Sequence, residues 1–308
     1  MKKLNIKNQE KTWNAIFVYG ILLWPVIHFC IFTIGMNISM VVQSFQDYPK
    51  TDFIWFDNYE NIILTFLGKK PQSELINTKA IFNSLSILPL TILINMPISL
   101  LFAYAIYKRY LGHKMFRVVL FIPTVISAVV LCLVFNMAVG RSSGFIPKLL
   151  ETIGLGDKIP PSGFMGTEDT AWTMILIFSV WTGISSNLIY FCSAMGRLPE
   201  SVFESAQLDG ASDFKQFYLI AIPLVWSTIT TISITGVSSI FSWYLPSLLL
   251  TNGKYGTSTL GLMIVISAQG RNHLGIISAL GVLVAIFGTC LTLLAKKLMG
   301  SVFQEEEY

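Results

Sequence analysis

The chain has 308 residues, of which 53% are apolar and only 12% charged, with a formal net charge of +4 and a mean hydropathy of +0.64. That composition excludes an ordinary soluble domain and belongs to a chain that lives in a bilayer. The small positive excess lies in connections between apolar runs, so it gives no argument for nucleic acid as a partner.

Six stretches lack Asp, Glu, Lys and Arg altogether and reach the ~20 residues that a bilayer crossing needs. They are residues 12–46, 80–107, 118–140, 170–196, 216–253 and 272–295. Unpaired backbone amides are costly in hydrocarbon, so crossings of this length must be helices that satisfy their own N–H and C=O groups. The expected fold is all-α, a polytopic membrane protein with six transmembrane helices.

The first run follows the basic start MKKLNIKNQEK. It far exceeds the ~7–15 residues of a secretory signal core and lacks an A-x-A cleavage pattern, so it reads as a retained helix. His28 is the one strongly titratable residue in the interior of a run, His273 standing at the very start of the last, and an interior position is functional by default. With no acid beside it to relay a proton, His28 reads as a neutral packing or hydrogen-bonding group rather than a relay. The second run, 80–107, ends in the tight basic loop YKRYLGHKMFR, and the third is 118–140.

The loops GRSSGF and KIPPSGFMG then lead to the fourth run, and TNGKYG follows the fifth, which begins on the polar side before Pro223. YGTSTLGLMIVISAQG, residues 255–270, is apolar but too short for a comfortable crossing and is left uncounted, as an amphipathic or partly inserted helix. Twelve of the 21 Lys and Arg residues fall on the side of the termini, the 108–117 loop and the segment around Glu204, which makes that side cytoplasmic. The expected organisation is a cytoplasmic segment at 1–13, a membrane domain at 14–298 with a polar loop at 196–223, and a cytoplasmic tail at 299–308.

Catalytic signatures are absent: the sequence has no H-E-x-x-H, no G-x-x-x-x-G-K-[ST] and no G-x-S-x-G. No catalytic residue, metal site or bound cofactor is therefore expected. Cys30, Cys132, Cys192 and Cys290 all fall inside apolar runs without metal or redox spacing, and read as small buried hydrophobes.

The stretch ESAQLDGASDF, between the fourth and fifth runs, is polar and punctuated. Pro199 suits the first turn of a helix, Glu200 and Glu204 its N-terminal half, and Gly210 a left-handed stop. Ser212 or Asp213 can cap a second short helix carrying Phe214, Phe217, Tyr218 and Ala221 on one face, with Pro223 breaking the path. Val202, Phe203 and Ala206 beside Glu204 and Gln207 have the form of a plug for a groove on a soluble partner, and small Ala206 and Gly210 would permit close approach. The alternative is a helix pair that only anchors the bundle at the headgroups.

Glu204, Ser205, Ala206, Gly210, Ala211, Phe214, Ile220 and Pro223 match the pattern E-A-A, three residues, G-A, an aromatic and I-x-L-P, with Ser205 for the first Ala and Ile222 for the Leu. This resembles the EAA signature of binding-protein-dependent ABC importer permeases. FDNYENII, IPTVIS, LPESVFESAQLDGAS and LLTNG look like the maltose-type, carbohydrate-importing branch, and within it the chain is more similar to the maltose F-type permease, from about Asn14 to Leu298. It departs from the family where Gly253 is followed by Lys254 and Tyr255 rather than completing a GGP.

The resemblance implies a coupling helix made of Glu204, Ser205, Ala206, Gln207, Leu208, Asp209, Gly210 and Ala211, seated on a separate cytoplasmic ATPase that binds the ATP and Mg. It implies further partners: a second homologous permease, two copies of that ATPase, an extracytoplasmic solute-binding protein and a sugar or oligosaccharide, in the cytoplasmic membrane of a bacterium with both termini inside. Glycerol phosphate or another non-sugar solute, and a stand-alone secondary transporter, are the alternatives.

For the solute pathway, family positions counted from Glu204 land on Ser179, Thr182, Gly183, Ser186, Gly236, Ser239, Ile240 and Trp243. Hydroxyl and aromatic side chains around Trp243, together with Asn187 and Tyr190 in the fourth run, suit the rim and face of a sugar ring. Small residues of this kind are as common at helix contacts in membranes.

Overall fold

The structure is a computed structural model that describes residues 16–47, 50–71, 77–142, 144–270 and 273–301. The expected N-terminal segment 1–13 and the end of the tail, 302–308, lie outside these residues. The chain forms two compact units, Met1–Lys70 with Ser267–Leu283, and Pro71–Ile266 with Val284–Tyr308.

In the first unit, helix α1 (Ile16–Ser44) is 29 residues long, about 43 Å, which exceeds the ~30 Å hydrocarbon core. It contains a π-helical turn at Phe29–Gly35. The chain then makes a two-residue antiparallel ribbon, β1 (Gln46–Asp47) against β2 (Asp52–Phe53), and enters α2 (Asp57–Phe66). Asp57 and Glu60 sit in the first turn of α2, where carboxylates favour the helix dipole. Buried Asn58 closes the turn by donating to the carbonyls of Ser44 and Gln46, each at 3.0 Å. A later glycine, Gly275, lies against Gln46 O, so that a Cβ there would collide with the backbone.

In the second unit, α3 (Thr78–Tyr107) starts at Asn77, whose side chain accepts from Lys79 N, and widens into a π-helical turn at Leu90–Asn95 directly after Pro89. It packs on α7 (Glu168–Met195) through Leu100, Ala103, Leu188, Phe191 and Met195, a core completed by Val225, Ile229 and Ile232. Gly183 admits the amide of Asn95 where any Cβ would collide with it. Ser99 Oγ lies 2.5 Å from Asn95 O and 3.1 Å from Ile184 O across the same seam.

The third apolar run is not one straight crossing. It is α4 (His113–Val125) and α5 (Ala128–Val139), bent by 110°. Pro123 lies in the last turn of α4, Ile126 is extended, and Ser127 restarts the chain by accepting from Val130 N with its side chain. Each half is only about 20 Å long. α6 (Phe145–Thr152) leads towards α7, and α5, α7 and a later short helix enclose a second core of Leu131, Cys132, Phe135, Phe178 and Leu250.

The polar loop forms α8 (Glu200–Leu208), and the fifth run is again a bent pair: α9 (Asp213–Leu224) and the helix Trp226–Ser242, here α10, meet at 67°. The break is at Val225 rather than Pro223, because a π-helical turn at Phe217–Ala221 lets α9 continue through the proline to Leu224. Among the described residues, four helices are therefore long and apolar enough to cross a membrane, or six when each bent pair counts as one span.

α11 (Leu245–Thr251) ends at Asn252 and Gly253, both left-handed. The loop after it is tied down by Asn83, which donates to Gly256 O and Ser258 O, and by Thr259, which donates to Trp243 O. The uncounted 255–270 segment contains the ten-residue α12 (Leu260–Gln269), and α13 (Leu274–Gly300) closes the chain. Of the four cysteines only Cys132 is buried. Cys192 is half-buried, and Cys30 and Cys290 are exposed, because the helices carrying them turn those faces outward. His28 is also exposed and lies against the Phe32 ring at 4.7 Å.

Candidate functional site

Two features of the second unit have the chemistry of a site. The first is the joint between α8 and α9. Pro199 stands just before α8 in an extended conformation, and Gly210 ends it at φ +77°. Ala211 N bonds to Ala206 O and Gly210 N to Gln207 O, the paired closure that a left-handed residue makes possible. A Cβ at Gly210 would meet nothing within 4 Å, so its backbone angle, not crowding within the chain, calls for glycine. Ser212 then caps α9 by accepting from Lys215 N.

Phe203 does not face outward with Val202 and Ala206 as the plug reading expected. It is 4% exposed and packs on Tyr107 at 5.3 Å and Tyr104 at 6.5 Å. Phe203 alone thus fixes α8 to its own bundle, while Val202 stays exposed. Glu204, Ser205, Gln207, Leu208 and Asp209 form the exposed side, with Leu208 90% exposed. The expected single face of α9 also divides: Phe217 and Ala221 are buried, whereas Phe214 and Tyr218 are exposed.

Beneath the joint lies a polar clasp. Lys108 Nζ is 2.6 Å from Gln216 Oε1 and 3.5 Å from Asp213 Oδ1, and it sits 5.2 Å over the Phe203 ring. Gln216, 1% exposed, donates to Ala211 O, and Tyr104 donates its hydroxyl to Asp213 O. Burial and a hydrogen bond to the Asp213 carboxylate push the Tyr110 phenol up to about 12, so it stays a neutral donor. Lys108, Gln216 and Tyr110 were missed in the sequence, where the loop basic residues were weighed only as topology signals.

The second feature is a cavity of about 600 Å³ walled by α3, α7 and α10. Of the expected pathway residues, Asn187, Tyr190, Gly236 and Ser239 line it. Thr182 and Ser186, again with Tyr190, line a separate cavity of about 450 Å³ at the α4–α5 bend. The other four belong to packing. Ser179 is buried and donates to Ile175 O, Gly183 receives Asn95, Ile240 is buried, and Trp243 stacks edge-on against Trp172 at 6.2 Å.

The wall that sequence reading missed is on α10, where Ser227, Thr231, Thr235 and Ser239 recur every four residues and so share one face. That spacing was legible in WSTITTISITGVSS, one turn before the Ser/Trp/Tyr cluster that drew attention. Thr231 and Thr235 already donate to the carbonyls four residues back, both at 2.8 Å, which leaves their lone pairs for a ligand. Arg197 is the one charged side chain in the lining. Among the described residues no three His, Cys, Asp or Glu side chains gather as a metal site.

Comparison with known proteins is consistent with this architecture. The arabinooligosaccharides transport system permease protein AraP of Bacillus subtilis is 26% identical over 90% of this chain and 86% of its own. The multiple sugar-binding transport system permease protein MsmF of Streptococcus mutans is 23% identical over 94% and 97%. The maltose/maltodextrin permease MalF of Klebsiella aerogenes is 27% identical over 67% of this chain but 39% of its own length. In fold, a chain from the crystal structure of a bacterial ABC transporter involved in the import of the acidic polysaccharide alginate superimposes with a TM-score of 0.80 at 22% identity, covering 96% of this chain and all of that one. The family model for the binding-protein-dependent transport system inner membrane component matches residues 15–302, so the chain belongs to that family and is a transport component rather than an enzyme.

Proposed function

We propose that the chain forms half of the translocation pathway of an ATP-driven importer for a sugar or oligosaccharide, and that α8 is the helix on which a separate cytoplasmic ATPase acts. The observation that carries the solute class is the hydroxyl wall of α10. It offers hydrogen-bond acceptors, faces Asn187 and Tyr190 across the cavity, and contains no carboxylate. A polyol supplies the matching donors, and a single Arg197 is thin provision for a phosphate dianion such as glycerol phosphate. The sugar transport named for AraP and MsmF supports the same class.

In this reading the partners are a second permease, two ATPase copies holding ATP and Mg, and a solute-binding protein outside the cell. Both termini and the α8–α9 joint lie in the cytoplasm of a bacterial cell. The exposed side of α8, Glu204 to Asp209, meets the ATPase, while Phe203 and Lys108 transmit its displacement to α3. Two states of the pathway are required, and the ATPase biases them.

The test is co-expression with the partner subunits, followed by solute uptake into proteoliposomes. Thr231→Val with Thr235→Val removes two neutral hydrogen-bonding groups at nearly constant shape and is expected to raise KM about tenfold or more. Glu204→Ala is expected to weaken ATPase capture by about 1.5 to 3 kcal/mol through loss of a charged hydrogen bond. Unchanged KM for every sugar offered removes the cavity from the pathway. A chain that purifies alone and still moves solute overturns the importer reading.

A further inference from the structure

A third cavity, basic in its lining, lies beside α8, unrelated to the hydroxyl wall. It has a volume of about 520 Å³ and is lined by Arg109, His113, Lys114 and Arg117, with Tyr107 and Glu200 also at its edge. Among the described residues none of Arg109, Lys114, Arg117 or Glu200 has an ion-pair partner within 4 Å. The hydroxyl of Tyr107 is buried without a hydrogen-bond partner, and His113 Nδ1 lies 3.2 Å from Tyr110 O. These cations stand in an unfavourable place: α4 begins at His113 with no acid in its first turn, so its own positive end adds to theirs. Three such cations against the single carboxylate of Glu200 leave an excess of positive charge that an anion from outside would offset.

Directly beside it is an apolar chamber of about 260 Å³, lined by Phe102, Ala105, Leu111 and Phe116, and sharing Ile106 and His113 with the basic one. Leu111, at the tip of the loop, is fully exposed. Arg109 is held at φ +55° and Gly112 at φ +83°, so the loop folds tightly across the end of α3. A charged chamber joined to an oily one, at the level where an apolar helix ends, matches a ligand with an anionic head and a hydrocarbon tail.

We propose that the paired chambers bind one anionic phospholipid, with its phosphate among Arg109, Lys114 and Arg117 and the start of an acyl chain against Phe102 and Phe116. Charge complementarity commits the head to a phosphate, and the adjoining apolar wall commits the source to a lipid rather than to free phosphate. Bound there, the lipid would lie against Glu200 and Gly196, the residues that flank the start of α8.

The test is native mass spectrometry of the full chain in mild detergent, titrated with phosphatidylglycerol and separately with phosphatidylcholine. Wild type is expected to retain phosphatidylglycerol in preference to phosphatidylcholine. The variant Arg109→Gln, Lys114→Gln, Arg117→Gln is expected to lose that retention by about tenfold or more, since each surface cation contributes roughly fivefold. Arg109→Lys with Arg117→Lys keeps the charge and is expected to keep the lipid, which separates lost binding from lost folding. Lys215→Gln, outside both chambers, is expected to behave as wild type. Equal retention of the two lipids, or full retention by the triple variant, overturns the proposal. So does complete displacement of phosphatidylglycerol by excess inorganic phosphate, which would make a free anion the ligand.

Discussion

Lys108 joins a helix end to the joint that follows α8, and its side chain is only 16% exposed. Replacing it with Met leaves Gln216 Oε1 and the Asp213 carboxylate without their cation, a loss of about 1.5 to 3 kcal/mol for hydrogen bonds to a charged group. Lys108→Met is therefore expected to lower the thermal midpoint of the purified protein, and to lower solute moved per ATP in the assembled importer while ATPase capture persists. An unchanged ratio would make the clasp merely structural. Tyr110 reports on the same cluster. Its phenol is raised in the fold from 10.0 to about 12, so its contribution to stability is full below pH 10 and is lost as pH rises towards 12. Alkaline difference spectra should lose a late-ionising component in Tyr110→Phe. Gly210 and Ser212 were readable in advance because a left-handed stop and a cap are local demands. The inward turn of Phe203 was not, since spacing tells which side chains share a face but not which face looks inward.

At the scale of elements, absence of charge located every membrane run, because burying a charge in hydrocarbon is costly wherever it occurs. The bends were less legible. Pro123 and Pro223 look alike in sequence, and each lies in the last turn of a helix, yet the bend that follows is 110° after the first and 67° after the second. What separates them is the neighbourhood: an extended Ile126 and a capping Ser127 after the first, a widened turn before the second. The seam between α3 and α7 gives a sharper test. Gly183→Ala would drive a methyl into the Asn95 amide, whose Oδ1 is already buried without a partner. Overpacking of this kind typically costs about 1 to 3 kcal/mol, and Asn95→Ala should restore most of it. If the double variant in a denaturation series is no more stable than Gly183→Ala, the two residues do not share the seam in solution.

At the scale of the whole molecule, apolar surface is the dominant feature. No residue of α1 before Ser44 is buried, so the helix relies on lipid or another subunit to cover it. In detergent, small thiol reagents should modify Cys30 and Cys290 well before Cys132, as read by peptide mass spectrometry. Equal rates would mean that Cys132 is not enclosed by the second core. Protection of Cys30 or Cys290 on co-expression of the proposed second permease would mark the face on which it sits.

The hydroxyls of α10 have a further consequence for motion along the cavity. Four residues of helix rise about 6 Å, so Ser227, Thr231, Thr235 and Ser239 are rungs at nearly even height, and Thr231, Thr235 and Ser239 have their protons committed to the backbone. A guest moving along them exchanges one acceptor for another of the same kind, and no rung is a deep trap. On the proposed pathway the wall would behave as a rail with small, regular friction, on which the size of the step is set by the helix and the direction of travel has to come from elsewhere.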